Sequence, residues 1–116
     1  MFITFCKSKI AHAIVTEAEL YYEGSITIDE ALLKAVDIIP GEKVEVLNVN
    51  NGNRLETYVI AGKAGSGHIC LNGPAARMGF VGDKIIILSY ALLDKVEAKK
   101  AKTKIVYLDE KNRIRP

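Results

Sequence analysis

The sequence predicts a mainly β domain with short helices, whose strands close into one small β-barrel. Three observations support this prediction. Short segments rich in β-branched and aromatic residues fill the first third of the chain, and an Asn51-Gly52 turn signal joins two further strand-like segments. Residues 35–47 also return in altered form as residues 76–88, a repeat at an offset of about 41 positions. In each copy a short helical piece leads through Gly and an acidic residue into an apolar strand, which suggests two pseudo-symmetric halves that close the barrel and remove its sheet edges.

The first third of the chain is predicted to contain strands over residues 2–7, 10–16 and 21–28. A helix over residues 30–36 follows, because Thr27 or Asp29 can cap its first turn. Its apolar stripe would consist of Ala31, Leu32, Ala35 and Val36. Pro40-Gly41 is expected to end this helical segment.

A hairpin is predicted next. Val44, Val46 and Asn48 alternate with Glu45 and Leu47 in the first strand. The Asn51-Gly52 turn then leads into a second, antiparallel strand over residues 54–61, and residues 68–71 form a further short strand.

Composition indicates one globular domain. The 116 residues are 49% hydrophobic and 26% charged, which is enough for a packed core and mildly favours a subunit that buries surface in an oligomer. Cys6 and Cys70 lack metal-ligand spacing and have only His12 and His68 as companions, so two buried thiols are favoured over a zinc site. No signal peptide or membrane-spanning run is present, which predicts a cytoplasmic protein without membrane contact.

The basic surplus lies in the C-terminal tail. Residues 94–116 carry eight Lys and Arg against four Asp and Glu, whereas residues 1–93 carry eight against ten. The run Lys99-Lys100-x-Lys102-x-Lys104 lacks interleaved aromatic residues, so a solvated helix face or frayed terminus is favoured over a nucleic-acid site.

The dipeptide Gly24-Ser25 is the most informative chemical feature. Gly-Ser usually marks an ordinary turn. A serine hydroxyl can, however, attack the preceding carbonyl and convert the amide to an ester, and a preceding Gly tolerates the strained backbone. β-Elimination and loss of ammonia would then leave a pyruvoyl group, an electrophilic ketone that the twenty side chains do not provide.

The whole pattern resembles the pyruvoyl-dependent aspartate 1-decarboxylases, whose fold is a double-psi β-barrel. The anchors of this resemblance lie between positions 9 and 83: Lys9, Val15-Thr16 with Leu20, Tyr22-Glu23-Gly24-Ser25, Asn51-Gly52, Arg54, Thr57-Tyr58, Gly65-Ser66, Asn72-Gly73-x-Ala75-Ala76 and Val81-Gly82-Asp83. The C-terminal tail lies outside these anchors.

The resemblance implies self-cleavage of the single domain 1–116. Residues 1–24 would become a small chain and residues 25–116 a larger one that begins with the pyruvoyl group made from Ser25. Tyr22, Gly24 and Thr57 would belong to this processing site. Both chains are expected to stay associated through the N-terminal strands, in a homotetramer with active sites between subunits; the sequence does not indicate whether a maturation helper takes part.

The implied reaction is decarboxylation of L-aspartate to β-alanine and carbon dioxide, for pantothenate and hence coenzyme A. Tyr58 would donate the proton at Cα, whereas its alternative is a strand tyrosine packed on the barrel. Arg54 and Lys9 would bind the substrate carboxylates; the alternatives are a solvated Lys9 and an ion pair of Arg54 with Glu56 or Glu45. Thr57 would contact substrate and also stabilise the oxyanion of self-cleavage, or else be a strand residue without a partner.

Asn72, Gly73, Pro74 and Ala75 are predicted to form a substrate-binding turn, in which Pro74 has no N–H to donate. Two positions depart from the family pattern. Ala11 stands where relatives often carry His, with His12 expected on the opposite strand face, and Leu47 stands where some relatives have Trp.

Three other functions compete with this hypothesis. A double-psi barrel without chemistry would bind a peptide or another subunit and remain uncut. A pyruvoyl enzyme could act on another amino acid, although Arg54 and Lys9 favour an acidic substrate. A basic-tail nucleic-acid module would bind with steep salt dependence.

Overall fold

A computed structural model describes all residues from Met1 to Pro116. The eight strands are β1 (Phe2–Ile14), β2 (Glu17–Glu19), β3 (Ser25–Asp29), β4 (Lys43–Asn48), β5 (Arg54–Gly62), β6 (Ile69–Asn72), β7 (Lys84–Asp94) and β8 (Lys104–Tyr107). The helices are α1 (Glu30–Ala35), a 3₁₀ helix (Gly73–Arg77) and α2 (Lys95–Lys100). The strands form one mixed sheet in the order β2-β6-β3-β5-β4-β7-β1-β8. The predicted mainly β architecture with short helices is therefore confirmed.

One apolar core lies inside this sheet. Alternating residues of the strands supply it, so that Ile26 and Ile28 of β3 and Val44 and Val46 of β4 are buried. Leu32, Leu33 and Val36 pack onto the core from α1 and its C-cap. The predicted hairpin is confirmed, because β4 pairs antiparallel with β5 from Lys43↔Tyr58 to Leu47↔Arg54.

The predicted repeat has a structural counterpart in two glycines. Gly41 and Gly82 adopt positive φ angles of 87° and 95°, which favour a residue without Cβ. The N–H of Gly41 donates to the carbonyl of Val59, and the N–H of Gly82 donates to that of Val15, each at 2.8 Å. Each glycine precedes an acidic residue and a core strand, β4 or β7, and these two strands pair with each other. The two halves are therefore built on the same backbone plan.

Several local predictions need correction. The two N-terminal strands are one strand, β1, because pairing with β7 continues through a register shift between Cys6 and Ser8. Residues 21–24 form a turn before β3 instead of belonging to it. Asp29 caps α1 by accepting from the N–H of Ala31 at 2.8 Å, whereas Thr27 does not cap it.

Helix α1 also ends earlier and faces the core differently from the prediction. It stops at Ala35, because Asp37 takes a positive φ of 59° before Pro40 is reached. Ala31 and Ala35 are exposed and Leu33 is buried, so a single helical turn and its C-cap present the apolar face.

The basic tail is part of the fold. Helix α2 exposes its lysines, while β8 pairs in parallel with β1. Asn112 is buried; its amide accepts from the N–H of Ile14 at 2.8 Å and donates to the carbonyls of Ile14 at 2.9 Å and Gly67 at 2.8 Å. None of the helices is both long and apolar enough to span a bilayer.

Candidate active site

A cleft of about 500 Å³ gathers most of the predicted site residues. It is lined by Gly24, Leu55, Glu56, Thr57, Tyr58, Asn72, Pro74, Ala75 and Met78. Strand β5 supplies one wall and the turn after β6 supplies the other. Another depression, of about 430 Å³ and lined in part by Thr4 and Tyr90, contains none of the predicted site residues.

Ser25 is the first residue of β3 and its surface is fully buried (0% exposed). Its hydroxyl oxygen accepts a hydrogen bond of 2.9 Å from the Nδ2 of Asn72. The same hydroxyl donates to the carbonyl of Glu23 at 3.4 Å, one residue before Gly24. Ser25 and Asn72 face each other in the antiparallel register of β3 and β6, so sheet pairing places the amide on the serine.

Polar contacts hold both the nitrogen and the oxygen of the Asn72 side-chain amide. Its Nδ2 also donates to the hydroxyl of Thr27 at 2.9 Å, and its Oδ1 lies 3.1 Å from the Sγ of Cys70. Burial raises the pKa of the Cys70 thiol, and the nearby carboxylates of Glu17 and Glu19 raise it further. No motif in the sequence pointed to Thr27 or Cys70 as site residues, although the two-residue spacing of Cys70 and Asn72 on a strand indicates a shared face.

Gly73 brings the turn into contact with the Gly24 segment. Its φ is +63°, and a Cβ built there would lie 2.7 Å from the carbonyl oxygen of Tyr22 and 2.9 Å from both N and Cα of Gly24. Only glycine fits this approach without movement of the backbone. Pro74 follows within the 3₁₀ helix, and its Cδ would be 3.5 Å from a Cβ at Gly24.

Thr57 and Tyr58 reach the cleft from β5. Thr57 is half-buried, and Tyr58 is 41% exposed. Tyr58 lines an open cleft and is not enclosed in the core. Its role as proton donor stays a prediction.

Five predicted residues are not among those that line the cleft: Lys9, Tyr22, Ser25, Arg54 and Gly73. Ser25 and Gly73 adjoin it through Asn72 and Gly24. Lys9 is a half-buried residue of β1, in register with Leu88 and Ile105. Tyr22 is 56% exposed in the turn before β3. Arg54 is exposed at the start of β5.

The alternative ion pairs of Arg54 are not formed. Glu56 pairs with Lys43, and Glu45 accepts a hydrogen bond of 3.3 Å from the hydroxyl of Tyr90. The ion pairs of the molecule are Lys7–Glu42, Lys34–Glu30, Lys43–Glu56 and His68–Glu17. The guanidinium of Arg54 therefore has no carboxylate partner within the chain.

His12 was predicted to lie on the strand face opposite to Ala11, which stands where relatives often carry His. The structure agrees, because Ala11 is buried and His12 is exposed. Cys70 is buried as predicted, but Cys6 is only half-buried, since it borders the register shift in β1, where the in-out alternation is interrupted.

One grouping of metal-ligand types exists in the fold. Glu17, His68 and Cys70 have ligand atoms within 4.8 Å of one another, because β2 pairs with β6. The thiol of Cys70 is already engaged with Asn72. The absence of a metal requirement stays a prediction.

The sequence profile of the aspartate decarboxylase family matches residues 1–115. The chain belongs to this family. It is 61% identical to the aspartate 1-decarboxylase of Acetivibrio thermocellus over 114 residues, covering 98% of this chain and 90% of the relative. It is 59% identical to the enzyme of the same name from Carboxydothermus hydrogenoformans, with the same coverage, and 59% identical to that of Thermoanaerobacter pseudethanolicus, covering 92% of each chain. The predicted family is confirmed, and the similarity includes the tail that the anchors left out.

Solved structures support the fold of this family member. A rationally designed double-psi β-barrel protein superposes with a TM-score of 0.50 at 21% identity, covering 66% of this chain and 90% of the design. A computationally designed barrel of the same class also gives 0.50, at 16% identity, covering 77% of this chain and 99% of the design. The predicted double-psi β-barrel is therefore confirmed.

Proposed function

We propose that the chain decarboxylates L-aspartate to β-alanine and carbon dioxide, with a covalent pyruvoyl group made from its own Ser25. The observation that carries this proposal is the cleft in which Gly24, at the Gly24-Ser25 junction, meets Thr57, Tyr58 and Asn72. The aspartate 1-decarboxylase name of relatives near 60% identity supports the same reaction. β-Alanine made in this way would serve pantothenate synthesis in the cytoplasm.

Self-processing would begin at the Ser25 hydroxyl. Its oxygen attacks the Gly24 carbonyl carbon, the C–N bond breaks, and the hydroxyl proton passes to the released amine, which leaves an ester. Removal of the Ser25 Cα proton then expels the Gly24 carboxylate and leaves an N-terminal dehydroalanine. Addition of water and loss of ammonia give the ketone. Thr57, which lines the cleft beside Gly24, is suited to donate to the oxyanion of the first step.

The residues around Ser25 are compatible with a pyruvoyl group at that position. Ser25 is buried behind the cleft and bonded to Asn72, which lines it, and the Gly73 turn forms a cradle that a Cβ would fill. Asn72 and Thr57 are the side chains that would hold the group. When present, it supplies an electrophilic ketone and an electron sink for loss of the α-carboxylate.

L-Aspartate would be bound by the cations Arg54 and Lys9 and by the turn of residues 72–75. Aspartate carries two carboxylates, and Arg54 offers a fork without an internal partner. Gly73 and Ala75 can donate backbone N–H groups, whereas Asn72 offers a side-chain amide; Pro74 stiffens the turn. Tyr58, a residue of the cleft lining, would deliver the proton to Cα.

Lys9 and Tyr22 would complete the site in an oligomer. Both lie outside the cleft of a single chain, so a homotetramer with sites between subunits would let a neighbouring chain supply one of them. Large apolar side chains are exposed at several surface positions, which is consistent with such contacts: Phe2, Tyr21, Phe80, Val81 and Leu92.

The cleaved chains would remain together through the sheet. Residues 1–24 include β1, which pairs along its length with β7 and also with β8, and β2, which pairs with β6. These ladders and the buried side chains of β1 do not depend on the Gly24-Ser25 bond.

Intact mass under denaturing conditions tests the proposal first. We expect two species divided after Gly24, the larger one lighter than a serine-led fragment by one ammonia. Ser25→Ala should give one uncut, inactive chain. Turnover would be compared for aspartate, glutamate, lysine and arginine, and aspartate should be preferred.

Other outcomes would contradict the proposal. Cleavage and full turnover of Ser25→Ala would remove Ser25 from the chemistry. An uncut wild-type chain without activity would favour a binding barrel, and preference for a cationic amino acid would favour a different decarboxylase.

A further inference from the structure

Cys70 is a buried residue to which the proposed chemistry assigns no part. It lies in β6, two residues before Asn72, and is 2% exposed. Its Sγ is 3.1 Å from the Oδ1 of Asn72, within the range for a thiol hydrogen bond, and 3.9 Å from the carbonyl of Leu71. The thiol is therefore the polar group on one side of the Asn72 amide.

Two hydroxyls occupy the other side of that amide. Ser25 and Thr27 each lie 2.9 Å from Nδ2. A hydroxyl both donates and accepts, so Thr27 is compatible with either orientation of the amide, whereas the Ser25 hydroxyl, which donates to the Glu23 carbonyl, needs Nδ2 on its side. A thiol that keeps its proton is a donor, and the burial and neighbouring carboxylates that raise its pKa keep it protonated. As a donor, the thiol therefore stabilises the orientation that Ser25 needs, in which Oδ1 faces Cys70 and Nδ2 faces Ser25.

The reversed amide would change the surroundings of Ser25. The serine hydroxyl already donates to the Glu23 carbonyl, and a reversed Asn72 would offer it a second acceptor in place of a donor. One hydroxyl hydrogen cannot serve both acceptors, and the serine oxygen would lose the N–H that now holds it. The Ser25 oxygen would then be less well oriented toward the Gly24 carbonyl carbon that it attacks in the proposed cleavage.

We propose that Cys70 is a positioning residue for self-cleavage: its thiol donates to Asn72 Oδ1 and thereby keeps the amide N–H on the Ser25 hydroxyl. This inference rests on the proposed function, in which Ser25 attacks Gly24. Cys70 acts through Asn72 and does not touch the reacting carbonyl carbon.

The experiment compares three single variants by the rate of cleavage, followed by intact mass from the freshly purified uncut chain. Cys70→Ala removes the donor and should slow cleavage about tenfold, as expected when a buried acceptor loses its partner. Cys70→Ser keeps a donor and should restore a rate within about twofold of wild type. Cys6→Ala, which removes the other thiol, should cleave like wild type, because the sulfur of Cys6 hydrogen-bonds to the Ser8 carbonyl and not to Asn72 or Ser25.

A double-mutant cycle separates positioning from packing. In an Asn72→Ala background, Cys70→Ala should cause no further slowing, because the thiol would have lost the group through which it acts. The thermal unfolding midpoint is measured for every variant. If Cys70 acted only through packing, Cys70→Ala would lower the cleavage rate in both the wild-type and the Asn72→Ala backgrounds, and Cys70→Ser would not restore it.

Several results would overturn the inference alone: wild-type rates in Cys70→Ala, equal slowing in Cys70→Ser, or additive effects in the cycle. Failure of the wild-type chain to cleave would instead contradict the proposed function. The side-chain NH₂ signals of Asn72, recorded by NMR in that intact chain, would still decide the inference. They should shift in Cys70→Ala and return toward wild type in Cys70→Ser, and unchanged signals in Cys70→Ala would refute it.

Discussion

Gly73 lies against Gly24 so closely that a Cβ on Gly73 would be 2.9 Å from the Cα of Gly24. The contact joins the turn after β6 to the residue that precedes Ser25. It also requires the positive φ of Gly73, +63°. The backbone on which the proposed cleavage depends is thus set by a residue 49 positions away in the chain.

Gly73→Ala should impair self-cleavage. The added methyl would force the Tyr22–Gly24 segment away and also strain the backbone by about 1–3 kcal/mol. Gly52→Ala is the matched control, because Gly52 has a similar φ of +76° but nothing within 4 Å of an added Cβ. Intact mass and thermal unfolding would be measured for both. Equal cleavage in the two variants would show that the Gly73 contact is not needed.

Tyr58→Phe should separate processing from turnover. Tyr58 lines the cleft but makes no hydrogen bond to Ser25, so the variant should be cleaved like wild type. Loss of the phenolic proton should lower kcat by about 10²–10⁴-fold, the usual contribution of a general acid. Steady-state kinetics of the fully cleaved variant would test this. An unchanged kcat would exclude Tyr58 as the proton donor.

Arg54→Met should weaken substrate binding. Loss of a charge-assisted contact with a carboxylate costs about 1.5–3 kcal/mol, which predicts a KM for aspartate raised by roughly tenfold or more. Lys99→Met is the control, since Lys99 is an exposed cation of α2. Similar KM values for the two variants would argue against a substrate contact at Arg54.

Glu42 should contribute to stability in a pH-dependent way. Partial burial pushes its pKa up, but hydrogen bonds from Ser89, Lys7 and the N–H of Ile39, with the charge of Lys7, outweigh burial and hold the pKa below its ordinary value of 4.5. Since the pKa is lower in the folded chain, the stabilisation is fully present above pH 4.5 and is lost as the pH falls through the lowered value.

Glu42→Gln therefore should lower the free energy of unfolding at neutral pH, by about 1 kcal/mol, and flatten the loss of stability on acidification. Denaturant unfolding at a series of pH values would measure both effects. Glu30→Gln, in the exposed pair with Lys34, is a suitable control. If the free energy of unfolding fell with pH in the same way in Glu42→Gln and in wild type, the pH-dependent stabilisation would not come from Glu42.

Asn112→Ala should destabilise the domain and loosen the proposed small chain. Asn112 is buried and bonds both backbone groups of Ile14, which lies within residues 1–24. Loss of these bonds is expected to cost about 1–3 kcal/mol. Asn112→Gly retains the preference for the observed φ of 57° and isolates the amide contribution. Thermal unfolding and dissociation of the cleaved chains would be followed, and a wild-type midpoint for both variants would refute the prediction.

Local sequence patterns were sufficient to predict those structural features that depend on residues close together in the chain. The alternation in β4, the Asn51-Gly52 turn and the cap by Asp29 depend on neighbours in the chain, and each is found in the structure. The apolar stripe of α1 was misassigned because a helix of six residues does not fix which side faces the sheet. The continuity of β1 was missed because pairing with β7, 70 to 92 positions away, carries the strand through its irregularity.

The mainly β barrel could be predicted from strand alternation and turn residues, and the family and most residues of the cleft from the resemblance carried by Gly24-Ser25 and the other anchors, because these signals lie in contiguous stretches of the chain. Three relationships emerge only in the folded chain: Cys70 and Thr27 hold Asn72, Lys9 lies outside the cleft, and the basic tail is anchored through Asn112. Those relationships depend on strand register and on burial between distant segments. Such pairings are settled by the packing of the whole core, which no local pattern encodes.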